Sequence, residues 1–381
     1  MSNIFDQIAK VSVGIQTAVI SSASFGKILI VGALPKVAPT KAPALVGYYE
    51  SIDEVTAAGW VATGDTAALD PVGVAAQVAF SQNPRPEGIY IAPVQVTTVE
   101  ESTTAESAVI TVQRAMETDG WYVVCPVGLS NTDLAGIAAY IEKQEKMMLY
   151  NETAFFGAGT GGTNTPTVSS IYTRSGGIFA KESSGQESAS VPAANLYGLA
   201  AGFAAVWLSH QSGSETAAYK QIRGVYPSTL SIDERTALAD ANLSFFVTIA
   251  NKNVTMIGKV LAGEWLDIIR FRDWIKNDIQ LRLVNLFLTG QKIPYVDGGI
   301  TMVQNCIEAA LKEGQLIGGI APDEYDEDGN ETPGFEVNVP AASSVAPTVR
   351  AARLLPDVSF RARLAGAIHV VEVTGTLAYA L

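Results

Sequence analysis

The sequence contains few of the residues on which enzymes and metal proteins depend. Its 381 residues include only 2 histidines, His210 and His369, and 2 cysteines, Cys125 and Cys306. Two cysteines this far apart form neither a disulfide framework nor a C-x-x-C pair of the kind that binds zinc. Two histidines leave little material for imidazole catalysis or metal binding. We therefore predict no catalytic residue, no metal site and no cofactor.

Basic residues and long apolar runs are also scarce. The chain has 25 Lys and Arg against 38 Asp and Glu, a net charge of −13, whereas binding to phosphates requires an excess of cations. The most apolar run, Leu199 to Leu208, is shorter than the roughly 20 residues that span a bilayer. The first ten residues include Asp6 and Lys10 and lack the apolar core of a signal peptide. We expect no nucleic-acid partner, no membrane insertion and a cytoplasm-like compartment.

The composition indicates a folded protein whose low content of charged residues leaves surface that partners can bury. Hydrophobic residues make up 48% of the chain, which excludes a disordered protein. Charged residues make up 17%, below the roughly 25% that is usual for soluble domains. A chain of this length can form two or three domains.

Strands and helices are predicted to alternate over residues 25 to 160. The apolar runs FGKILIVG (25–32), GIYIAPV (88–94) and WYVVCP (121–126) predict buried strands. Helices are predicted at 53–58, 71–81, near 105–117 and at 132–150. This alternation favours an α/β layer with a partly parallel sheet.

The second half of the chain begins with a change of composition. Residues 157–192 are rich in Gly, Ser and Thr and are predicted to form an exposed loop or hairpin. A buried helix is predicted at 194–209, and Ser231 with Glu234 predicts a capping box. The helix predicted at 261–289 carries two apolar stripes, so it must be covered on both sides, within the subunit or on assembly.

Two motifs that suggest ligands have simpler explanations. Gly157, Gly159 and Gly162 fit G-x-G-x-x-G, but Pro166 follows where a dinucleotide site needs a helix, which favours a flexible loop. The acidic run at 323–331 resembles a calcium loop counted from Glu324. Its twelfth position is Phe335, which cannot supply the required carboxylate, so a solvated hairpin tip is favoured.

Both ends of the sequence are apolar and prone to form strands. The residues from 11 to 20 alternate between apolar and small or polar side chains, and the last residues read IHVVEVTGTLAYAL. Free strands of this kind promote aggregation, so each end is expected to pair with the subunit's own sheet or with a neighbour's. The predicted arm residues are Val11, Val13, Ile15, Val19, Ile368, Val370, Val371, Val373, Leu377 and Tyr379.

Residues 220 to 381 resemble the tail sheath proteins of contractile bacteriophages and of related injection devices. The resemblance lies in FRDW (271–274), in QKIPYVDGGI (291–300) with the helix that follows, and in RAARLLPDVSFRARLAGAIHVVEVTGT (350–376). The ending ARLAGAIH (362–369) is the most specific part. The N-terminal half agrees in layout more than in motif.

The resemblance implies an α+β subunit with two domains. Residues 1–25 would be an N-terminal strand arm of an inner domain, and residues 26–254 an outer α/β domain with an exposed loop at 157–192. Residues 255–381 would be the inner polymerisation domain, with a C-terminal strand arm at 366–381. These β-strand arms would complete the inner domain.

The resemblance also implies a function without chemistry. Sheath subunits form hexameric rings stacked around a tail tube, and they contract to drive the tube through the host envelope. The expected partners are copies of the chain, the tail tube protein, and the baseplate and tail terminator proteins. The expected location is the virion, after assembly in the host cytoplasm.

A group of cations stands out against the acidic composition, and the sequence leaves open which of them face the tube or a neighbour. The alternative is ordinary ion pairing within the subunit. The candidates are Arg270, Arg272, Lys276, Arg350, Arg353, Arg361 and Arg363. The alternative hypothesis for the whole chain is a soluble α/β enzyme or nucleotide-binding protein that forms a small oligomer.

Overall fold

We describe the chain from a computed structural model. The described residues are 25–37, 39, 42–64, 68–99, 102–118, 120–153, 166–179, 192–290, 292–325 and 329–375. Several predictions fall outside these ranges and stay predictions. They concern the N-terminal arm residues Val11, Val13, Ile15 and Val19, the C-terminal Leu377 and Tyr379, the glycines at 157, 159 and 162, and the acidic residues 326–328.

Within the described residues, strands and helices alternate in the first two thirds of the chain, and helices followed by short strands form the last third. In chain order the elements are β1 (Ile28–Ala33), β2 (Gly47–Tyr49), α1 (Ile52–Ala57), α2 (Pro71–Phe80), β3 (Ile89–Val94), β4 (Val96–Val99), β5 (Ser102–Ala105), α3 (Ala108–Ala115), β6 (Val123–Pro126), α4 (Asn131–Ile141), β7 (Met147–Glu152), β8 (Ser175–Phe179), a π-helical turn (Ala194–Gly198), α5 (Leu199–Leu208), α6 (Ile232–Asp240), β9 (Ser244–Ile249), β10 (Lys252–Met256), α7 (Leu266–Thr289), α8 (Asp297–Leu316), β11 (Glu324–Tyr325), β12 (Glu331–Thr332), β13 (Phe335–Asn338), α9 (Pro347–Ala351) and β14 (Ser359–Ala362).

An 8-stranded mixed sheet forms the main body, in the order β10-β9-β8-β7-β6-β1-β3-β2. The pairs from β9 to β3 are parallel, and the two outermost pairs are antiparallel. In β1 the side chains alternate between two cores. Ile28 and Ile30 lie in the core with α2 and α5, while Leu29 and Val31 lie in the core with α3 and α4. The expected partly parallel α/β layer is confirmed, and we call this body the sheet layer (residues 28–256).

Serine side chains begin several of the helices in the sheet layer. The hydroxyls of Ser51, Ser107 and Ser130 accept hydrogen bonds from first-turn amides of α1, α3 and α4. The capping box predicted at Ser231 is present, because the Glu234 carboxylate also accepts from the Ser231 amide. The apolar run Leu199–Leu208 is helix α5, and every residue of it is buried.

Two predictions in the sheet layer are wrong. The helix predicted at 132–150 ends at Ile141, and Met147–Glu152 is strand β7, because a short apolar run fits a buried strand as well as a helix. The segment predicted to be an exposed loop at 157–192 contains the fully buried strand β8. Its two glycines admit close neighbours: a Cβ added at Gly177 would lie 2.5 Å from a Leu243 methyl.

The last third of the chain forms a second, smaller layer. Its core contains side chains from α7, α8 and the strand β13, with Ile307, Leu311 and Ile320 among the buried members. The acidic segment forms an antiparallel pairing of β11 with β12, as the predicted hairpin requires. We call residues 276–364 the C-terminal layer. In the part of the chain that the structure describes, no helix is both long and apolar enough to cross a membrane.

Candidate assembly interface

Helix α7 joins the two layers, and Arg270 anchors its first half to the sheet layer. The guanidinium donates to the Glu215 carboxylate over 2.6 Å and to the carbonyl oxygens of Leu208, His210 and Phe25 over 2.7 to 3.1 Å. It thereby satisfies carbonyls at the C-terminal end of α5, where a helix leaves them without partners. Arg270 is 2% exposed. A side chain held in this way is part of the subunit's interior.

A second buried cluster lies three residues further along α7. The Asp273 carboxylate accepts two hydrogen bonds from the Arg174 guanidinium, over 2.6 and 3.0 Å, and one from the Tyr122 hydroxyl over 2.8 Å. Burial, with the nearby Asp273 carboxylate, raises the pKa of Tyr122 well above its ordinary value. The hydroxyl therefore stays protonated and continues to donate. Together with Arg270, this cluster fixes the direction in which α7 leaves the sheet layer.

The second half of α7 runs past the sheet layer and is only partly covered. Helix α8 packs against it, but Val284, Phe287 and Leu288 remain exposed, the last two with 61% and 71% of their surface accessible. The sequence predicted that both apolar stripes of this helix must be covered. Within the described residues the first half is covered and the second half is not, which favours coverage on assembly.

Beside α8 lies a ribbon of two antiparallel strands, β13 and β14, in which Glu336 pairs with Arg361 and Val337 with Phe360. Among the described residues, neither strand has a further partner on its outer side. The ribbon therefore presents two edges of free amide and carbonyl groups, to which another extended segment can add a strand.

The chain leaves the ribbon through Gly366, whose positive φ of 67° suits a glycine, and it is then held at His369. The His369 ring packs edge-on against Trp265, with centroids 4.5 Å apart, and its Nε2 lies 2.9 Å from the Thr216 hydroxyl. The Tyr219 hydroxyl donates to the His369 carbonyl over 2.6 Å. The ring and the backbone of His369 are thus both held against the sheet layer.

Around and after this anchor, the chain is apolar and exposed. Four predicted arm residues lie here, and each exposes between 73% and 85% of its surface: Ile368, Val370, Val371 and Val373. No secondary structure is formed from residue 365 to residue 375. We call this stretch the C-terminal arm. A run of exposed β-branched side chains in extended chain is expected to be buried by a partner.

The structure separates the candidate cations into two sets. Arg270 is not available to a tube or a neighbour, because it is buried in its ion pair with Glu215, and that candidate is corrected to an internal anchor. Lys276 pairs with Glu145, and Arg363 pairs with Glu324 over 2.5 Å. Arg272 is half exposed, and its Nε lies 3.5 Å from the buried Asp273 carboxylate. The exposed cations around the ribbon are Arg350, Arg353 and Arg361.

A cavity of about 300 Å³ lies at the base of the C-terminal arm, between α7 and the loop before residue 217. It is lined by Glu215, Asp267 and the arm residue Gly366. Burial raises the pKa of Glu215 to about 7, although Arg270 attracts its charge. Burial also raises the pKa of Asp267 to about 6, partly offset by Lys220. Sequence reasoning missed both groups, because their burial follows from the packing of distant segments.

Among the described residues, no group of three or more His, Cys, Asp or Glu side chains is placed to hold a metal ion. The buried polar side chains around α7 form hydrogen bonds with one another, so they stabilise the connection between the two layers. The exposed features, by contrast, are an apolar arm, an open-edged ribbon and a set of cations.

Comparison with known proteins gives the class to which these features correspond. Residues 266–377 match the family model described as "E217 tail sheath protein gp31-like, C-terminal domain". This range includes α7, α8, the ribbon and the C-terminal arm. The resemblance to tail sheath proteins that the sequence predicted is confirmed. No curated protein sequence matches the chain.

Solved structures of contractile injection systems share the fold over nearly the whole chain. A chain of the anti-feeding prophage (AFP) baseplate has a TM-score of 0.64 at 12% identity, covering 97% of this chain and 99% of that one. A chain of the AFP helical sheath in the contracted state gives 0.64 at 12%, with 93% and 94% covered. A chain of the PVC sheath complex in the contracted state gives 0.61 at 12%, with 94% and 93% covered. The mixed α/β fold is thus that of these proteins.

Proposed function

We propose that this chain is the structural subunit of a contractile tail sheath. Copies polymerise as stacked hexameric rings around a tail tube, and contraction of the polymer drives the tube through the host envelope. The observation that carries the proposal is the C-terminal arm: an exposed, β-prone segment that leaves a fixed anchor beside a ribbon with two open edges. The family model over the same residues and the shared fold support it.

In this proposal the arms connect copies by strand addition. The C-terminal arm and the strand predicted at residues 11–20 pair with the edges of β13 and β14 in neighbouring copies. The backbone hydrogen bonds of such a ladder do not depend on the side-chain contacts made elsewhere between subunits. Subunits therefore stay connected while their other, larger contact surfaces rearrange. Small free-energy differences per subunit then sum along the polymer to drive contraction.

The arms also suggest which part of the subunit lies next to the tube and which lies outside. We propose that residues 255–381 with the N-terminal arm form the inner domain, next to the tube, and that residues 26–254 form the outer domain. The exposed cations Arg350, Arg353 and Arg361 would face acidic surfaces of the tube or of a neighbour, and Arg272 would do so from α7. Baseplate and terminator proteins would contact the ends of the polymer, in the virion, after assembly in the host cytoplasm.

The test is negative-stain electron microscopy of the purified full chain, with a mass measurement on the same sample. We expect hollow ridged tubes wide enough to enclose another tube. A variant that ends at residue 369 keeps the His369 anchor but lacks the arm beyond it, and it should stay folded and form no tubes. A uniform small oligomer from the full chain at every concentration would refute the proposal and would favour the enzyme or nucleotide-binding alternative. Normal tubes from the shortened chain would refute the role of the arm.

A further inference from the structure

The C-terminal layer contains an apolar groove at the end of α7 that is farthest from the sheet layer. The groove has a volume of about 380 Å³ and lies between the last turns of α7, the first half of α8 and the segment before β14. Its lining includes Leu283, Phe287, Val303, Leu354 and Val358. An engineered cavity of about 150 Å³ binds benzene, so this groove has room for an aromatic ring and an aliphatic side chain together.

The groove is incompletely covered within the described residues. Phe287 and Leu354 line it and expose 61% and 59% of their surface. Apolar surface gains about 25 cal/mol for each Å² that is removed from water, so a complementary apolar segment would be held here. Arg353 also lines the groove and adds a positive charge at its rim. The occupant that fits is therefore an apolar segment with an acidic residue.

The first residues of the chain have this composition. Ile4, Phe5 and Ile8 are apolar, and Asp6 follows Phe5 directly. Residues 1–24 lie outside the described part of the chain. They can span up to about 80 Å when extended. The exposed C-terminal arm also combines valines with an acidic residue, Glu372, but residues 370–375 contain no aromatic ring for the groove. The segment from 376 contains Tyr379 but no acidic side chain, so the N-terminal segment is favoured because Phe5 and Asp6 supply both.

The position of the groove beside β14 indicates a neighbouring copy as the source. Val358 lines the groove, and the next residue begins β14. A strand at residues 11–20 that paired in parallel with β14 of another copy would place the residues before it at this groove. We propose that residues 4–8 of one copy occupy the groove of a neighbouring copy, with Phe5 inserted and Asp6 paired with Arg353. This inference rests on the proposed function, which supplies the neighbouring copy.

The test is disulfide trapping between two different full-length chains. One carries Phe5→Cys and the other Leu354→Cys, and both carry Cys306→Ser, so that the only remaining native cysteine is the buried Cys125. The control replaces Leu354→Cys by Ile232→Cys, which is exposed in the sheet layer. After mild oxidation we expect at least about ten-fold more covalent dimer with Leu354→Cys than with the control, because docking raises the effective concentration of the two thiols.

The outcomes separate this inference from the proposed function. Tubes without an excess of covalent dimer overturn the inference and leave the sheath function standing. A disulfide that forms only within a chain carrying both cysteines overturns it in favour of the chain's own segment. Trapping by Tyr379→Cys in place of Phe5→Cys overturns it in favour of the other end. Covalent dimer above the control in a sample that never forms tubes supports the docking and counts against the sheath.

Discussion

The two layers of this molecule differ in how far their apolar side chains are buried and their charged groups and strand edges are paired. In the sheet layer two apolar cores fill both faces of the sheet, apart from exposed side chains such as Ile232, and the charged groups that enter it are paired, as Asp273 is with Arg174 and Arg270 is with Glu215. In the C-terminal layer and the arm that follows it, neighbouring apolar side chains such as Phe287 and Leu288, or Val370 and Val371, face solvent, and the ribbon edges have no strand partner among the described residues.

The difference shows where the subunit is complete and where it is not. Adjoining exposed apolar side chains and open strand edges mark surfaces that a partner covers, whereas single exposed apolar side chains are normal on any subunit. The sheet layer can keep its shape while contacts change, since its cores are closed. The C-terminal layer reaches its full burial in the polymer, according to the proposed function.

The largest effect is expected at the joint between the layers. Arg270→Met should lower the free energy of unfolding by about 3 to 5 kcal/mol, because it leaves the Glu215 carboxylate buried without its partner. The matched control is Arg272→Met, two residues along the same helix, where a half-exposed guanidinium lies 3.5 Å from the Asp273 carboxylate; it should lower stability by about 1 kcal/mol or less. Urea unfolding followed by circular dichroism measures both. Equal effects would show that α7 is not anchored through Arg270.

The second prediction concerns assembly and leaves the fold intact. Val371→Asp should change the free energy of unfolding by about 0.5 kcal/mol or less, because the side chain is exposed in the single subunit. It should abolish tubes, since it would put a charge into a strand interface. Ile232→Asp, equally exposed in the sheet layer, should form normal tubes. Electron microscopy and sedimentation measure tube formation by both variants. Tubes from the Val371 variant would show that the exposed arm is not buried by a partner.

The third prediction concerns the anchor of the C-terminal arm. His369→Ala should weaken the attachment of the arm by about 1 to 2 kcal/mol, through the lost ring contacts with Trp265 and the lost contact with Thr216. Limited proteolysis within residues 365–375 should speed up correspondingly, with global stability unchanged. His369→Phe keeps the ring contacts, so its effect should lie between those of the native chain and the alanine variant. Unchanged proteolysis would mean that His369 does not hold the arm.

The smallest effect is expected in the pH dependence of stability. Burial raises the pKa of Asp267 to about 6 in the folded subunit, above its ordinary value, so the folded state binds its proton more tightly than the unfolded state. Its contribution therefore favours folding at low pH and is lost as the pH rises through about 6. Asp267→Asn cannot titrate, so its melting temperature should gain less than that of the native chain on going from pH 7 to pH 5.

The control for this prediction is Asp240→Asn, which removes an exposed carboxylate at the end of α6 that is not among the charges shifting the pKa of Asp267. Its melting temperature should follow the pH in the same way as that of the native chain. If the Asp267 variant also does so, the carboxyl group is not buried in solution as the structure places it.

The sequence predicted helices α1 to α8, with the end of α4 misplaced, but only three of the eight strands of the main sheet, β1, β3 and β6. Short apolar runs such as WYVVCP identified buried strands, because such runs are typical of strands covered on both faces. Ser231 with Glu234 identified the start of a helix, because the capping box consists of local hydrogen bonds. Strand β8 was missed because its sequence, SGGIF, is mostly small and polar. Its burial comes from neighbours such as Leu243 that lie far away in the chain, and no local pattern reports them.

For the candidate assembly interface, the sequence determined the composition and the structure decided the roles. The sequence itself contains apolar ends, a helix with two apolar stripes and a set of cations. The motifs of residues 220–381 and their order carry the resemblance to tail sheath proteins. Only the tertiary structure placed Arg270 inside the joint, His369 against Trp265 and Thr216, and the second half of α7 beyond the sheet. The physical reason is that burial depends on which distant segments pack together, and a side chain's charge or hydrophobicity does not specify its partner.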